Sequence, residues 1–368
     1  MNHPFIEYAG EEKHIHQFKA ERLNILKSHL SAQFISDVET FSDKYVTILQ
    51  LFETCVENRW EEEVMLKDPY GRPLESIRIS VTQRCNLNCF YCHREGEDPS
   101  QREEMTPKEI QKIVAIAASF GLGKVKLTGG EPLLRRDILD IVARIHETPG
   151  IEEVSMTTNG ILLSEYAESL KKAGLARVNV SLDTLTAERF KQITGVDALE
   201  SVTLGILKAR DAGLNPVKVN MVLLKGLNED EVSDMIDFAK RNSVILQIIE
   251  LEAPDESEWY KRYHASLNAV EHLLEGMAED ITIRKMHHRK KYHLRGGGEV
   301  EIVKPMHNTE FCRHCNRIRV TSDGKLKPCL FRNDNLVDML GPIRRGASEE
   351  TLKKLFLEAV RRREPYFK

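Results

Sequence analysis

The sequence predicts an α/β protein, a partial (β/α)6 TIM-like barrel with a helical extension before it and a cysteine-bearing extension after it. Three observations support this prediction. Short β-rich segments alternate with helix-like segments from Ser76 onward, glycine and polar residues follow the predicted strands, and residues 11–68 contain neither glycine nor proline. Alternating strands and helices favour a parallel sheet with right-handed crossovers. We therefore expect three regions, at 1–64, 65–254 and 255–368.

The first region predicts one or two long amphipathic helices. Its large apolar residues recur at steps of three and four, which is the spacing of one helix face: Leu23, Leu26, Leu30, Phe34, Val38, Phe41, Tyr45, Ile48 and Phe52. Such a face packs on the main domain or on another subunit, so we expect a structural role and consider a homodimer.

Six apolar segments predict the barrel strands: SIRISV, KVKLTG, EEVSMTT, ARVNVSLD, VKVNMVLL and VILQIIEL. Their mostly apolar character predicts a sheet that is covered on both faces. Helix-like stretches lie between them, at 107–119, 136–147 and 229–241. Functional sites of such barrels lie at the C-terminal ends of the strands. Here those ends carry Cys85 and the stretches TGGEP, TTNG, SLDT and IELE.

The third region departs from this alternation. A helix-like stretch at 265–277 is followed by a basic run from Arg284 to Arg295, and Gly296–Gly298 predicts a hairpin turn. A basic run on a hairpin is most often a solvated face, so we expect that role, with steering of an anionic substrate as the alternative.

Composition excludes several classes of protein. A net charge of −4 disfavours a general nucleic-acid binder, and no run of about 18 apolar residues predicts a membrane span. The first residues lack an export signature, so we expect a cytoplasmic protein. Thiols stay reduced there, so the seven cysteines favour metal binding or catalysis over disulfides. Cys55 stands alone and is expected to pack in a core.

Six cysteines form two sets of three. Cys85, Cys89 and Cys92 have the spacing C-x3-C-x2-C after the first predicted strand. A zinc ion with His93 as the fourth ligand is one interpretation, and a [4Fe–4S] cluster with one open iron is the other. The second set has the spacing C-x2-C-x13-C and allows the same two interpretations, with His314 or His307 completing a zinc site: Cys312, Cys315 and Cys329.

The stretch CNLNCFYC together with LTGGEPLLR resembles the radical S-adenosylmethionine enzymes. This resemblance implies that Cys85, Cys89 and Cys92 hold a [4Fe–4S] cluster whose open iron binds S-adenosylmethionine. The stretch FCRHCNRIRVTSDGKLKPCLF resembles the C-terminal motif of the GTP 3′,8-cyclases. These lyases make 3′,8-cyclo-7,8-dihydro-GTP in the first step of molybdenum cofactor biosynthesis. The second resemblance implies a second [4Fe–4S] cluster that binds the purine of GTP.

The resemblance also implies roles for single residues. The residues expected to contact S-adenosylmethionine are Tyr91, Gly129, Gly130, Glu131 and Ser181, with Glu131 holding its amino group. The residues expected to bind GTP are Arg78, Lys126, Thr157, Lys218, Arg317 and Arg319. Among the latter, Lys218, Arg317 and Arg319 are expected to act in catalysis. Cationic side chains suit a triphosphate because charge-assisted hydrogen bonds are strong.

Some residues depart from the family pattern. Lys126 stands where many members have arginine, and Gln247 and Glu252 stand where bacterial members have arginine and methionine. The chain ends in REPYFK without the glycine pair of many members, and CHREG resembles archaeal members. Two other functions stay open: a radical enzyme that modifies a peptide or another small molecule, and a zinc-binding interaction protein. The electron donor is not indicated.

Overall fold

Eight parallel strands form the centre of one twelve-stranded sheet. The computed structural model describes residues 66–97, 103–253 and 257–367, which belong to one unit, 64–368. The predicted helical extension at 1–64 and Cys55 lie outside these residues. The strand order is β12-β11-β10-β1-β2-β3-β4-β5-β6-β9-β8-β7. The bounds are β1 Ser76–Ser80, β2 Lys124–Thr128, β3 Glu153–Thr158, β4 Arg177–Ser181, β5 Val217–Leu223, β6 Ile245–Glu250, β7 Ala278–Ile283, β8 Lys290–Leu294, β9 Glu299–Val303, β10 Arg317–Val320, β11 Lys325–Lys327 and β12 Val337–Asp338.

The six predicted strands are β1 to β6, and they pair in parallel in chain order. The predicted α/β fold class is therefore confirmed. The C-terminal region contributes a further parallel strand to each side, because β9 pairs with β6 and β10 pairs with β1. The predicted hairpin is formed by β8 and β9, which are antiparallel around Gly296–Gly298.

Helices connect the strands and cover the outside of the sheet. No helix among the described residues is both long enough and apolar enough to cross a membrane. Their bounds are α1 Pro107–Ala118, α2 Ile138–His146, α3 Leu163–Lys172, α4 Ala187–Thr194, α5 Leu199–Asp211, α6 Val232–Asn242, α7 Glu258–Tyr263, α8 Asn268–Met277, α9 Thr309–Arg313, α10 Leu340–Arg344 and α11 Glu349–Arg361.

Helix α1 shows why such a segment becomes a covering helix. Thr106 and Glu109 form a capping box in which the Thr106 amide donates to Glu109 Oε2 at 2.7 Å and the Glu109 amide donates to Thr106 Oγ1 at 3.3 Å. Pro107 occupies the first turn, where a missing amide hydrogen costs nothing. Ile110, Val114 and their neighbours on the same face are fully buried, so the helix covers the sheet with one apolar stripe.

The two faces of the sheet differ in chemical character. In β1, Ile77 and Ile79 are fully buried under the helices, whereas Arg78 points to the other face. In β2, Lys126 lies opposite Arg78 and shares that face. Since side chains alternate along a strand, every second residue of these strands faces the interior of the barrel. That interior is polar and forms a cavity.

A buried ion network joins the start of the unit to its C-terminal end. Asp68 accepts hydrogen bonds from the Arg72 amide at 3.0 Å and from Arg72 Nε at 2.7 Å. The Asp68 carboxylate also lies 2.8 Å from Arg363 Nη1, and both side chains are 0% exposed. The two arginines then donate to backbone carbonyls, Arg72 to Cys312 at 2.9 Å and Arg363 to Cys315 at 2.7 Å.

Replacing Arg363 by alanine is expected to lower the free energy of unfolding by about 3–5 kcal/mol, because Asp68 would keep a buried charge with one partner fewer. Chemical unfolding of parent and variant, prepared anaerobically in parallel, measures this loss. Arg361→Ala is the control, since Arg361 is 69% exposed and its surface ion pair with Glu358 is expected to contribute little to stability. Equal losses in the two variants would contradict the expectation.

Candidate active site

A cavity of about 420 Å³ lies inside the barrel. All eight parallel strands contribute side chains to its wall, and so do the two cysteine loops and the segment before β8. Binding cavities for small molecules typically have volumes of about 300–1,000 Å³. The cavity therefore has the size and the enclosure of a site for a small molecule.

The first set of cysteines lies on the loop after β1, and Cys85, Cys89 and Cys92 all line the cavity. The loop is anchored to the end of α4, because the Asn88 amide donates to the Thr194 carbonyl at 2.8 Å. Burial raises the pKa of all three thiols. Since iron binds thiolates, loading of this loop must release protons.

The TGGEP loop after β2 packs against the start of the cysteine loop. The Gly130 amide donates to the Thr82 carbonyl at 2.7 Å. A Cβ atom at Gly130 would lie 2.2 Å from the Arg84 carbonyl oxygen, and one at Gly129 would lie 2.3 Å from that of Thr82. These glycines therefore allow two loop backbones to touch beside Cys85, and both glycines also line the cavity.

Glu131 anchors the TGGEP loop. Its side chain is fully buried and does not line the cavity. Its carboxylate accepts hydrogen bonds from Thr158 Oγ1 and the Asn159 amide, both at 2.7 Å, and from the Leu133 amide at 3.0 Å. These partners tie the TGGEP loop to the end of β3. Contact of Glu131 with the amino group of S-adenosylmethionine stays a prediction.

Tyr91 and Ser181 face the cavity beside the first set of cysteines. The Tyr91 hydroxyl donates to Asp183 Oδ2 at 2.5 Å, and Asp183 Oδ1 accepts from the Val222 amide at 2.9 Å. Burial raises the pKa of Asp183 to about 6, although both hydrogen bonds act in the opposite direction. Asp183 therefore fixes the Tyr91 ring across the loop.

The second set of cysteines lies on the other side of the same cavity. Cys312 belongs to α9, Cys315 follows it, and Cys329 follows β11. The backbone carbonyls of Cys312 and Cys315 accept from Arg72 and Arg363, which belong to the buried network described above. Burial alone would raise the pKa of the Cys315 thiol, but Arg363 and Arg317 hold it below its ordinary value.

The cysteine sets fit iron–sulfur clusters by the chemistry of their donors. Each set offers three thiols and no disulfide, and both open onto one cavity. Two of the three histidines considered for zinc have other contacts: His93 Nε2 lies 3.5 Å from Glu252, and His314 Nδ1 lies 2.9 Å from the Glu310 carbonyl oxygen. In residues 66–97, 103–253 and 257–367, no three Cys, His, Asp or Glu side chains are grouped to hold a single metal ion.

Cationic side chains line the cavity between the two sets. Arg78 and Arg319 are opposite each other in the β1–β10 register, and Glu95 lies between them. Arg78 Nη2 is 2.5 Å from Glu95 Oε1, and Arg319 Nη1 is 2.7 Å from Glu95 Oε2. Burial, the largest effect, raises the pKa of Glu95, but Arg78 and Arg319 outweigh it and lower that pKa to about 2.

A second carboxylate compensates the cations on the opposite wall. Glu301 is fully buried in β9 and lies 2.5 Å from both Lys218 Nζ and Arg284 Nη1. Gln247 donates to the same carboxylate and accepts from Asn179 Nδ2 at 2.9 Å. The side chain of Gln247 thus continues a hydrogen-bond chain across the barrel. Bacterial members of the family often have an arginine at this position.

Arg317 and Lys126 also line the cavity, and neither has such a partner among the described residues. Among the described residues, no carboxylate oxygen lies within 4.0 Å of Arg317 or Lys126. Lys126 Nζ donates to Asn179 Oδ1 at 2.7 Å, and Arg317 Nη2 contacts Met286 Sδ at 3.2 Å. Burial, followed by the charges of Arg78 and Arg319, lowers the pKa of Arg317 to about 9. The charges of these two side chains are thus not neutralised by a carboxylate of the described residues, which suits an anionic ligand.

The structure brings sixteen of the seventeen predicted site residues to this one cavity, namely the six clustered cysteines and all the others except Glu131. The sequence reasoning missed Glu95, Glu301, Asn179 and Asp183. Alternation along EVEIV could have indicated Glu301, whereas nothing in HREGE indicates that Glu95 points inward. The basic run is only partly a solvated face, since Arg284 and Arg289 line the cavity.

Comparison with known families agrees with this geometry. Residues 79–239 match the family described as the Radical SAM superfamily, and residues 244–368 match the family described as Molybdenum Cofactor Synthesis C. The first match covers the first cysteine loop and strands β2 to β5, and the second covers β6 and the part that carries the other three cysteines. Fold and site together define a radical S-adenosylmethionine protein, which uses S-adenosylmethionine and an iron–sulfur cluster.

Relatives at about half identity narrow the class. A probable GTP 3′,8-cyclase of Thermococcus kodakarensis is 52% identical over 310 residues, which are 83% of this chain and 100% of the relative. Those of Pyrococcus abyssi and Methanothermobacter thermautotrophicus are each 50% identical over 82% of this chain and 100% and 99% of their own lengths. The chain belongs to the GTP 3′,8-cyclase family. The resemblance seen in the cysteine motifs, including its archaeal character, is confirmed.

Solved structures share the fold at low identity. Streptococcus suis SuiB bound to its precursor peptide SuiA superposes with a TM-score of 0.56 at 17% identity, over 87% of this chain and 72% of SuiB. Native anSMEcpe with bound AdoMet has a TM-score of 0.55 at 17% identity, over 79% of this chain and 81% of its own. These similarities support the barrel and its extension.

Lys218 gives this site a pH dependence. Burial, opposed in part by Glu301, lowers the pKa of Lys218 to about 8 from 10.5. Between these values the folded protein binds fewer protons than the unfolded chain, so its stability rises with pH. We expect a gain of the order of 3 kcal/mol from pH 8 to 10.5 in the parent that is absent in Lys218→Met. Unfolding at several pH values measures it, and parallel curves for both proteins would contradict it.

Proposed function

We propose that the protein is a GTP 3′,8-cyclase, which removes the C3′ hydrogen atom of GTP and joins C3′ to C8 in the first step of molybdenum cofactor biosynthesis. The observation that supports this most directly is the pair of cations Arg317 and Lys126, which lies in one cavity with both sets of cysteines. Two half-buried cations without a carboxylate partner favour an anionic ligand, and the triphosphate of GTP is one. The names of the relatives point to the same substrate.

The first set of cysteines is proposed to hold the [4Fe–4S] cluster of the superfamily. When bound, the cluster and S-adenosylmethionine supply the radical that removes the hydrogen atom. Tyr91, Gly129, Gly130 and Ser181 line the cavity beside this set and are proposed to contact S-adenosylmethionine. Asp183 holds the Tyr91 hydroxyl at 2.5 Å, which orients the ring and its backbone.

The second set, Cys312, Cys315 and Cys329, is proposed to hold a second [4Fe–4S] cluster near the purine. The buried network of Asp68, Arg72 and Arg363 supports this loop, because the two arginines donate to the backbone carbonyls of Cys312 and Cys315. Such outer partners orient the ligands of a metal site and tune it. The network thereby connects Asp68, at the start of the unit, to the loop that carries Cys312 and Cys315.

The nucleotide is proposed to lie between the two sets of cysteines. Cations are presented to it from four strands, by Arg78, Lys126, Lys218, Arg317 and Arg319. Thr157 lines the same cavity and offers a hydroxyl. Fixed charges in a cavity that excludes water bind an anion more strongly than exposed charges do, and they require no reorganisation during the reaction. Lys218, Arg317 and Arg319 are proposed to hold the ribose and base in position for ring closure.

A radical enzyme that modifies a peptide is the second candidate, since a structural neighbour is bound to its precursor peptide. The cations of this cavity favour a nucleotide over a peptide. Anaerobic incubation with GTP, S-adenosylmethionine and a reductant, followed by analysis of products, tests the proposal. Formation of 3′,8-cyclo-7,8-dihydro-GTP is expected, and cleavage of S-adenosylmethionine with GTP unchanged would contradict it. A cytoplasmic location, an electron donor and a homodimer stay predictions.

Arg317→Ala is expected to weaken GTP binding by about 1.5–3 kcal/mol, because one charge-assisted contact is lost. Arg319→Ala is expected to act in the same direction. Cyclisation should fall strongly while uncoupled cleavage of S-adenosylmethionine continues. Equilibrium dialysis and product analysis under anaerobic conditions measure both effects. Arg144→Ala is the control, since Arg144 pairs with Asp140 on α2, away from the cavity. Parent-like GTP affinity in Arg317→Ala would contradict the assignment.

Mutation is expected to separate the functions of the two sets of cysteines. Protein with both clusters should contain roughly eight irons per chain. Cys89→Ala should lose cleavage of S-adenosylmethionine, because the first set binds the cluster that cleaves it. Cys315→Ala should keep some cleavage and lose the cyclised product. Iron analysis, assay of 5′-deoxyadenosine and product analysis check this. Full cleavage in Cys89→Ala, or stoichiometric zinc in the parent, would overturn the assignment.

A further inference from the structure

Glu95 occupies a place in the cavity wall that an anionic ligand would favour. Its two carboxylate oxygens contact two arginines, Arg78 at 2.5 Å and Arg319 at 2.7 Å, and Oε1 also accepts from Thr128 Oγ1 at 2.9 Å. The two arginines are neighbours because β1 and β10 pair with Arg78 opposite Arg319. Two cations at such a short separation repel each other strongly when they have little access to water. Glu95 offsets that repulsion.

The backbone around Glu95 holds this carboxylate in place. Arg94 and Glu95 have φ angles of 49° and 54°, a backbone region that residues other than glycine rarely adopt. On the C-terminal side, a Cβ at Gly96 would lie 2.5 Å from the Leu330 carbonyl oxygen, and the Gly96 carbonyl accepts from Lys327 Nζ at 3.1 Å. The segment is therefore pinned at the position that turns Glu95 inward. A ligand enters a site that already contains this negative charge.

We propose that Glu95 is the resident counter-anion of the phosphate-binding arginines, and that it limits the affinity of the site for polyphosphate. This inference rests on the proposed function for the identity of the ligand. Together Arg78, Arg319 and Glu95 carry a net charge of +1, which leaves the binding of further negative charge mainly to Arg317 and Lys126. Arg78 Nε is buried without a hydrogen-bond partner among the described residues, so Arg78 keeps a donor for the ligand.

Removing the carboxylate should change stability and affinity in opposite directions. Without Glu95, the ligand-free protein contains an arginine pair with no counter-charge, which costs stability. An added anion then restores the balance, so it binds more tightly and stabilises the variant more than the parent. A residue that only kept the arginines in position would show the reverse effect on affinity, because its loss would disorder the binding groups.

The test compares Glu95→Gln with the parent, both loaded with clusters under anaerobic conditions. Tripolyphosphate is the probe, because it carries the charge of the nucleotide without base or ribose. Equilibrium dialysis should show roughly tenfold tighter binding of tripolyphosphate by Glu95→Gln. Its melting temperature should be lower than that of the parent without the probe and should rise more when the probe is added. GTP should follow tripolyphosphate in affinity.

Glu97→Gln is the matched control. Glu97 lies two residues further along the same segment, but its carboxylate accepts from the Ser322 amide at 2.9 Å and from Ser322 Oγ at 2.7 Å, and it does not line the cavity. This variant should bind tripolyphosphate as the parent does. A general effect of charge on this segment would appear equally in both variants and would overturn the proposal.

Unchanged or weaker binding of tripolyphosphate by Glu95→Gln would also overturn it. If this variant does not fold alone, its recovery during refolding should increase with tripolyphosphate, and recovery that is independent of the anion would refute the proposal. The proposed function is tested separately by conversion of GTP in the parent. A parent that binds tripolyphosphate but leaves GTP unchanged would disprove that function, while the proposal for Glu95 would still be decided by the comparison of affinities.

Discussion

Cations that face the interior of the barrel reduce its stability unless they are offset, because moving an unpaired charge out of water costs several kcal/mol. In this protein two carboxylates offset most of these cations. Glu95 pairs with Arg78 and Arg319, and Glu301 pairs with Lys218 and Arg284. The barrel can therefore fold around a polar cavity, and the cations that have no such partner suit an anionic ligand.

The two cysteine loops are attached to this barrel by different means. The first is held by backbone contacts, since the TGGEP loop packs so closely on it that a side chain at Gly130 would collide with the Arg84 carbonyl. The second is held by the buried charges of Asp68, Arg72 and Arg363, which come from the beginning and the end of the unit. Both loops thereby face one cavity from opposite walls, as an enzyme needs when two cofactors act on one substrate.

The charge balance also explains a departure from the family pattern. Gln247 stands where bacterial members of the family often have arginine. Its side chain donates to Glu301 and accepts from Asn179. Arg284 reaches the same carboxylate from the segment before β8. A positive charge near Glu301 is thus supplied by the C-terminal region. Individual residues of the pattern can change while the balance of charge in the cavity is kept, because Coulomb energies depend on distance and burial more than on the strand that carries the group.

The sequence by itself determined the order of strands and helices, the two sets of cysteines and most of the cations of the cavity. These follow from local periodicity and spacing, which are properties of neighbouring residues. Only the tertiary structure decided the partners. Glu95, Glu301 and Arg363 meet cations or carbonyls that are distant in the chain, and Glu131 accepts a hydrogen bond from the end of β3. Pairings of this kind depend on strand register and loop packing, which place residues together after the sheet has formed, so no local pattern records them.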